Sequence, residues 1–84
     1  MQNRKFAYMP IQKDNEFLIL LGKRIKMLRN EKKISQAQLS FEADIQISQI
    51  SRIERGLINT TVLNLNTIAK ILEISLNELL DFSK

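Results

Sequence analysis

The side chains with the clearest chemical potential lie between residues 46 and 55. This stretch carries two glutamines, two serines and two arginines: Gln46, Ser48, Gln49, Ser51, Arg52 and Arg55. Gln can form two parallel hydrogen bonds with the edge of adenine, Arg can do the same with guanine, and Ser is an adaptable donor. In a helix whose apolar residues Ile50 and Ile53 face inward, these polar side chains share the opposite face. The pattern indicates recognition of a hydrogen-bonding surface rather than catalysis.

The composition lacks most catalytic and metal-binding side chains. There is no Cys and no His, which excludes disulfides, thiol nucleophiles, zinc fingers and Ser-His or Cys-His catalytic sets. Paired carboxylates remain conceivable, but the Asp and Glu residues are scattered singly and fit caps or surface turns. Glycine occurs only at positions 22 and 56, so there is no Gly-rich phosphate loop. We predict that the protein is not an enzyme and uses no metal and no cofactor.

The charge distribution favours a polyanionic partner. The net charge of +4 divides into +6 over residues 1–34 and −1 over each of residues 35–58 and 59–84. This concentration of positive charge attracts a polyanion without identifying it. A plainer interpretation is that Lys23, Lys26, Lys32 and Lys33 keep the first helix soluble. The longest apolar run, residues 17–21, is far shorter than the ~20 residues that span a bilayer. We therefore expect a cytoplasmic protein with no membrane partner.

Two short helices separated by a turn must position the polar face. Ser35, with Gln38 three residues later, is typical of a capping box at the start of a helix over residues 36–43. The stretch 44–46 interrupts the pattern, and Ile47, Ile50 and Ile53 then predict a second helix over residues 47–55, ended by Gly56. Helices this short need a scaffold to bury their apolar sides.

The flanking sequence predicts that scaffold. Asn15 can cap a first helix over about residues 16–32, in which Phe17, Leu21, Ile25 and Leu28 form one apolar stripe. A fourth helix is predicted over about residues 62–72, and a second capping box at Ser75 and Glu78 predicts a short fifth helix through Leu80. No strand pattern is present. The predicted fold class is all-α, a compact five-helix domain of 16–84 preceded by an N-terminal arm of residues 1–15.

The stretch SQAQLSFEADIQISQISRIERG resembles the helix-turn-helix of the phage Cro/repressor (Xre) family. The matching features are Gln36 at the start of the first helix, Leu39-Ser40, Ile50-Ser51 and the closing Ile53-Glu54-Arg55-Gly56. The resemblance extends outward over residues 17–82. One departure is Asp44, which stands where the inter-helix turn usually carries Gly; Asp tolerates a left-handed backbone less well than Gly.

The resemblance implies roles for individual residues when a recognition helix enters the major groove of double-stranded DNA. Base-contacting positions are Gln46, Ile47, Ser48, Ser51 and Arg52. Phosphate-contacting positions are Lys33, Gln36, Gln49, Arg55, Asn59, Thr60 and Thr61. Two alternatives stay open here: Ile47 either contacts a thymine methyl group or extends the core, and residues 59–61 act as DNA contacts, as a helix cap, or as both. The resemblance also pairs Arg29 with Glu54 as a structural ion pair between the first and third helices.

A homodimer is expected because one recognition helix covers only a few base pairs, whereas two related by a two-fold axis read adjacent major grooves ~34 Å apart. The apolar residues of the fourth and fifth helices exceed what one small core needs. The predicted dimer interface is formed by Leu63, Ile71, Ile74, Leu76, Leu79 and Phe82. No effector domain accompanies the fold, so no small-molecule effector is expected.

Residues 1–15 have three interpretations: a disordered arm, an arm that brings Arg4 and Lys5 to nucleic acid, or a segment that packs its aromatic residues on a neighbour. For the whole chain, the first hypothesis is a sequence-specific DNA-binding transcriptional regulator, with repression or activation left open. The alternative is an antitoxin or other protein-interaction module for which DNA binding is secondary.

Overall fold

The computed structural model describes residues 11–82, with side chains from residue 15 onward. This part of the chain forms five helices and no strand: α1 Ile11–Glu31, α2 Gln36–Ala43, α3 Ile47–Glu54, α4 Val62–Ile71 and α5 Leu76–Leu79. The predicted all-α class is confirmed, and helices α2 to α5 agree with the predicted bounds to within one residue. The residues on which the three interpretations of the N-terminal arm depend, including Arg4 and Lys5, lie outside the described residues.

Helix α1 starts at Ile11, five residues before the predicted start, and crosses the boundary drawn between arm and domain at residue 15. Asn15 therefore lies inside the helix and is not its cap. The side chain of Asn15 is exposed, so it costs the helix only its modest propensity deficit and buries no unpaired polar group. A residue that could cap a helix does not force one to begin there.

The helices enclose one core by packing in a closed circuit. Helix α1 packs on α3, α3 on α2, α2 on α4, α4 on α5, and α5 returns to α1. The buried apolar residues come from every helix and from the connections beside them: Leu21, Ile25, Leu39, Ile45, Ile50, Ile53, Leu65, Ile68, Ala69, Leu72 and Leu79. Because α3 has neighbours on only one side, its opposite face is left open to solvent.

The turn between α2 and α3 fixes the angle at which α3 leaves the scaffold. Asp44 adopts the left-handed conformation, with φ 57° and ψ 43°, so the position where Gly is usual keeps its backbone shape with Asp. The Ile45 N–H donates to the Ser40 carbonyl (3.2 Å), and the Ser40 hydroxyl donates to the Ile45 carbonyl (2.5 Å). Ile45 itself is buried and anchors the turn in the core.

Both glycines allow α1 to approach the end of α3 closely. A Cβ on Gly22 would lie 2.4 Å from the carbonyl oxygen of Ile53 and 2.5 Å from that of Glu54. Gly56 has φ +73°, and a Cβ there would meet the backbone of Ile19 at 2.7 Å. The two helices therefore touch backbone to backbone at these points, which leaves little freedom in their relative position.

Local hydrogen bonds hold the helix starts. Ser35 and Thr61 accept from the amides of Gln38 and Asn64, each at 3.0 Å. Ser75 and Glu78 form the complete predicted capping box. At α2 only half of the predicted box forms, because the side chain of Gln38 donates to Glu42 (2.9 Å) instead of reaching back.

An ion pair joins the ends of α1 and α4. Lys32 pairs with Glu73, and the hydrogen bond from Lys32 lowers the pKa of Glu73 below its ordinary value. Lys33 and Glu73 both close their helices with positive φ, 61° and 64°. Within residues 11–82, no helix is both long and apolar enough to cross a membrane.

Candidate nucleic-acid interface

Helix α3 turns its apolar side inward and its polar side to solvent. Ile50 and Ile53 are 1% and 2% exposed, whereas most polar residues on the opposite side of the helix are exposed. The exposed set comprises Gln46, Ser48, Gln49, Arg52 and Arg55, and Ser51 is half-buried. The structure therefore brings most of the predicted base-contacting side chains together on one accessible surface. None of the helices α1 to α5 covers it.

Ile47 belongs to that outer surface. It is 48% exposed, so the interpretation in which it extends the core is wrong. The isoleucine that is buried along with Ile50 and Ile53 is instead Ile45, at 6% exposure, which the sequence pattern assigned to the interruption between the helices. The reason is the left-handed turn at Asp44, which redirects the chain and places Ile45 inward and Ile47 outward.

The side chain of Gln46 is free of the capping role that its position would suggest. Gln46 is the N-cap of α3, yet its side chain makes no capping hydrogen bond. The N-caps of α2, α4 and α5 all do. A cap without a side-chain hydrogen bond leaves its carboxamide available to an external group, together with the amides of Ile47 and Ser48; the amides of Gln49 and Ile50 already donate to the Gln46 carbonyl.

A buried ion pair fixes α3 against α1. Arg29 Nε donates to Glu54 Oε2 (2.6 Å) and Nη2 donates to Oε1 (2.9 Å), with the two side chains 9% and 2% exposed. Arg29 Nη1 also donates to the Ile34 carbonyl (2.9 Å). The hydrogen bonds with Glu54 raise the pKa of Arg29, an effect opposed by burial and reinforced by the carboxylate charge. The ion pair that the resemblance implied is present, and it ties α1 and the start of α2 to α3.

The Arg29–Glu54 pair determines the sign of the charge on the outward face of α3. Glu54 is the only acidic residue of the helix, and its charge is neutralised internally by Arg29. Arg52 and Arg55 are exposed. The outward face of α3 is therefore positive, although the net formal charge of residues 35–58 is negative.

The predicted phosphate-contacting residues lie around the ends of α2 and α3. Lys33, Gln49, Arg55 and Asn59 are exposed, whereas Gln36 and Thr60 are half-buried. Gln36 Nε2 donates to Glu54 Oε1 (3.0 Å), which brings the start of α2 beside the end of α3. Its carboxamide is thus already engaged within the protein.

The exit loop after α3 shows the capping alternative directly. Thr61 is the N-cap of α4, and Thr60 Oγ1 accepts from the side chain of Asn64 (3.0 Å). Both hydroxyl oxygens accept bonds locally. Each hydroxyl hydrogen can still be donated outward, so capping and DNA contact are compatible. Arg55 Nε donates to the Ser51 carbonyl (3.3 Å), which holds the base of its side chain on α3.

The predicted dimer residues do not share one environment. Leu79 is fully buried in the chain's own core, so its assignment to a dimer interface is wrong. Leu63 is 78% exposed. Ile71, Ile74, Leu76 and Phe82 are half-buried and pack against the core. Part of the apparent apolar surplus is used within the chain, since Phe82 packs edge-on against Phe17 with ring centroids 5.1 Å apart.

Sequence reasoning missed the hydrogen bonds that orient α3. The Ser40–Ile45 bond and the Gln36–Glu54 bond join residues whose partners a periodicity does not reveal. The one sequence feature that could have predicted the buried turn is Ile45, an apolar residue between the polar residues Asp44 and Gln46. Among residues 11–82, no group of three or more Asp or Glu side chains is arranged to hold a metal ion.

Comparison with known proteins places this geometry in a family. The family model described as Helix-turn-helix matches residues 25–79. Control protein C.BamHI of Bacillus amyloliquefaciens is 37% identical over 70 residues, which covers 82% of this chain and 86% of that protein. The transcriptional regulator SinR of Bacillus subtilis is 36% identical over 63 residues, covering 74% of this chain and 57% of SinR.

Solved structures agree with the sequence relatives. The restriction-modification controller protein C.AhdI from Aeromonas hydrophila superposes with a TM-score of 0.72 at 34% identity, covering 74% of this chain and 94% of that one. SinR in complex with DNA gives a TM-score of 0.69 at 37% identity, covering 73% and 98%. The chain belongs to the helix-turn-helix family of the Cro/repressor (Xre) type, and it is a DNA-binding transcriptional regulator rather than an enzyme.

Proposed function

We propose that this regulator binds specific double-stranded DNA sequences as a homodimer in the cytoplasm, with α3 lying in the major groove. The observation that carries the proposal is the orientation of α3, which buries Ile50 and Ile53 while exposing Gln46, Ser48 and Arg52. Side chains at the start of a recognition helix are the ones that reach base edges.

The proposed base contacts follow from the chemistry of the exposed residues. Gln46, whose carboxamide has no capping partner, can form a bidentate pair with adenine, and Arg52 can do so with guanine. Ser48 and Ser51 supply adaptable hydrogen bonds. Ile47, half-exposed beside Gln46, provides an apolar surface for a thymine methyl group.

The proposed phosphate contacts surround this reading surface. Lys33, Gln49, Arg55 and Asn59 offer exposed side chains, and Thr60 and Thr61 offer hydroxyl hydrogens. Gln36 would contribute through its backbone amide at the α2 N-terminus, because its side chain is engaged by Glu54. Binding should weaken steeply with salt, with log K falling by roughly 0.9 per phosphate neutralised for each unit of log salt.

A two-fold dimer would place two copies of α3 in successive major grooves. The interface proposed for it consists of Leu63 and the half-buried residues of the α4–α5 side: Ile71, Ile74, Leu76 and Phe82. Leu63 is the residue of this set most accessible to a partner, because it is 78% exposed on α4. No small-molecule effector is proposed.

Electrophoretic mobility shift across a salt series tests the proposal. A duplex from the region upstream of the protein's own gene is compared with a random duplex of equal length. A specific regulator should prefer its own site by a factor of about 10³ or more. Equal affinity for both duplexes at every salt concentration would contradict sequence-specific binding and favour a module whose main partner is another protein.

A further inference from the structure

Phe41 is the most exposed large apolar side chain of the described residues, at 85%. It lies on α2, on the side away from the buried Leu39. A shallow hollow beside the ring is lined by residues of the α2–α3 turn: Ser40, Asp44, Ile45 and Gln46. None of the proposed base, phosphate or dimer contacts uses Phe41. The exposed ring together with the hollow beside it offers an apolar surface that another molecule can contact.

The charges around Phe41 argue against DNA as that molecule. Glu42 and Asp44, one and three residues after Phe41 in sequence, are both exposed, and their carboxylates repel phosphate groups. A protein surface that combines an apolar hollow with basic groups suits this arrangement better. Aromatic anchors seated in pockets are typical centres of such interfaces.

The chain carries a surface of this kind on α1. A groove between α1 and the segment after α5 has Leu20, Met27 and Phe82 as apolar walls and Lys23, Arg24 and Asp81 as polar lining. Leu20 and Met27 are 48% and 44% exposed and lie seven residues apart on one face of α1. Two donors of Arg24 bond the Glu78 carbonyl, at 3.2 and 2.8 Å, which holds its cation at the groove.

We propose that Phe41 of one copy inserts into the α1 groove of a second copy, with Glu42 and Asp44 facing Lys23 and Arg24. The thioether of Met27 is a favourable neighbour for an aromatic ring. The two carboxylates that follow Phe41 in sequence complement the two cations that line the groove, a lining to which Asp81 also contributes a carboxylate. Phe41 lies on α2, which packs on α3 and α4, whereas the groove is formed by α1 and the end of the chain, so the contact joins separate copies.

This contact differs from the two-fold dimer in symmetry. Its two halves are different surfaces, so it is heterologous and extends assembly head to tail instead of closing it at two copies. It does not depend on DNA binding. Its failure and the failure of the proposed function are therefore separable.

Sedimentation velocity without DNA, over a micromolar concentration range, tests the contact. The wild-type chain should form species larger than a dimer. Phe41→Ala should weaken this association at least about tenfold, since a truncated central anchor typically costs that much. Leu57→Ala, at another exposed apolar position (60%), should leave it unchanged. Phe41→Ala should also bind a single DNA site with wild-type affinity.

A charge exchange makes the test specific to the two surfaces. Glu42→Lys and Lys23→Glu should each weaken association, and the double variant should restore it. Three results would overturn the proposal: a wild-type chain that never exceeds a dimer, Phe41→Ala that sediments like wild type, or a double variant no better than the single ones.

Discussion

At the scale of the residue, position on α3 or on its rim separates two kinds of DNA contact. Arg52 is exposed on the helix that would enter the groove, whereas Lys33 lies in the connection before α2. A side chain at a base edge carries sequence information; a side chain at a phosphate carries only affinity. Removing the Arg52 side chain and removing the Lys33 side chain should therefore change DNA binding in different ways.

Arg52→Ala should relax preference at one base position in each half-site, at a cost of about 1–3 kcal/mol. Lys33→Ala should weaken binding to all sequences alike and reduce the salt slope by about 1. Binding to a panel of single-base operator variants at several salt concentrations measures both. A uniform loss from Arg52→Ala, with every base preference retained, would assign Arg52 to the phosphate backbone instead.

The Arg29–Glu54 pair is a residue-scale feature with a stability consequence. Both side chains are almost fully shielded from water, so Glu54→Ala strands a buried cation and should destabilise the fold by about 3–5 kcal/mol. Replacing both partners with apolar residues, Arg29→Met with Glu54→Leu, should recover much of that loss, although Gln36 then loses its acceptor. Urea unfolding measures the stability of both variants.

The matched control is Lys32→Ala, which breaks the exposed Lys32–Glu73 pair. Solvent screens that pair, so its loss should shift the unfolding midpoint far less than Glu54→Ala does. Similar shifts for the two variants would mean that the Arg29–Glu54 site is accessible to water.

At the scale of the element, the sequence was informative where structure is local. Ser35 and Ser75 cap helices as predicted, because a cap needs only residues within one turn. Ile47 and Leu79 show the limit: spacing tells which residues share a face but does not tell what covers that face. Leu79 fills the core, and Ile47 is turned outward by a left-handed Asp44. The side chains that orient α3 depend on contacts between distant parts of the chain, which a single sequence does not display.

The contact between α1 and α3 gives an element-scale prediction. In an exposed helix interior Gly→Ala stabilises by about 1 kcal/mol. Gly22→Ala should do the opposite, because its Cβ would lie 2.4 Å from a backbone carbonyl oxygen of α3 that cannot move aside. We expect destabilisation of roughly 1–3 kcal/mol by urea unfolding, together with weaker operator binding as α3 is displaced.

Asn30→Ala, at an exposed position of the same helix, is the control for helix propensity. It should be neutral or slightly stabilising. Gly22→Ala with wild-type stability would show that α1 and α3 have room to separate.

At the scale of the whole molecule, the small size of the chain and the symmetry of the proposed dimer both bear on stability and on DNA binding. An 84-residue chain buries a modest share of its surface, and a two-fold partner would add to its stability as well as set the spacing of the recognition helices. A substitution at the exposed Leu63 can test both effects of dimerisation, the added stability and the spacing of the recognition helices. It should not disturb folding of the single chain, because Leu63 contributes little to the chain's own core.

Leu63→Glu should therefore disrupt the dimer without unfolding the monomer. Leu63 lies in the first turn of α4, where a carboxylate is favoured by the helix dipole, so the substitution should not harm the helix itself. In a Phe41→Ala background, which lacks the proposed head-to-tail contact, sedimentation should show a monomer at concentrations where Phe41→Ala alone is dimeric, and the melting temperature should lose its dependence on protein concentration. Affinity for a palindromic operator should fall much more than affinity for an isolated half-site. Asn30→Glu introduces the same charge at an exposed position of α1, and it should change neither the oligomeric state nor the affinity for the palindromic operator. If Leu63→Glu remains dimeric, the two-fold contact lies elsewhere, and the half-buried residues of α4 and α5 would have to be tested in its place.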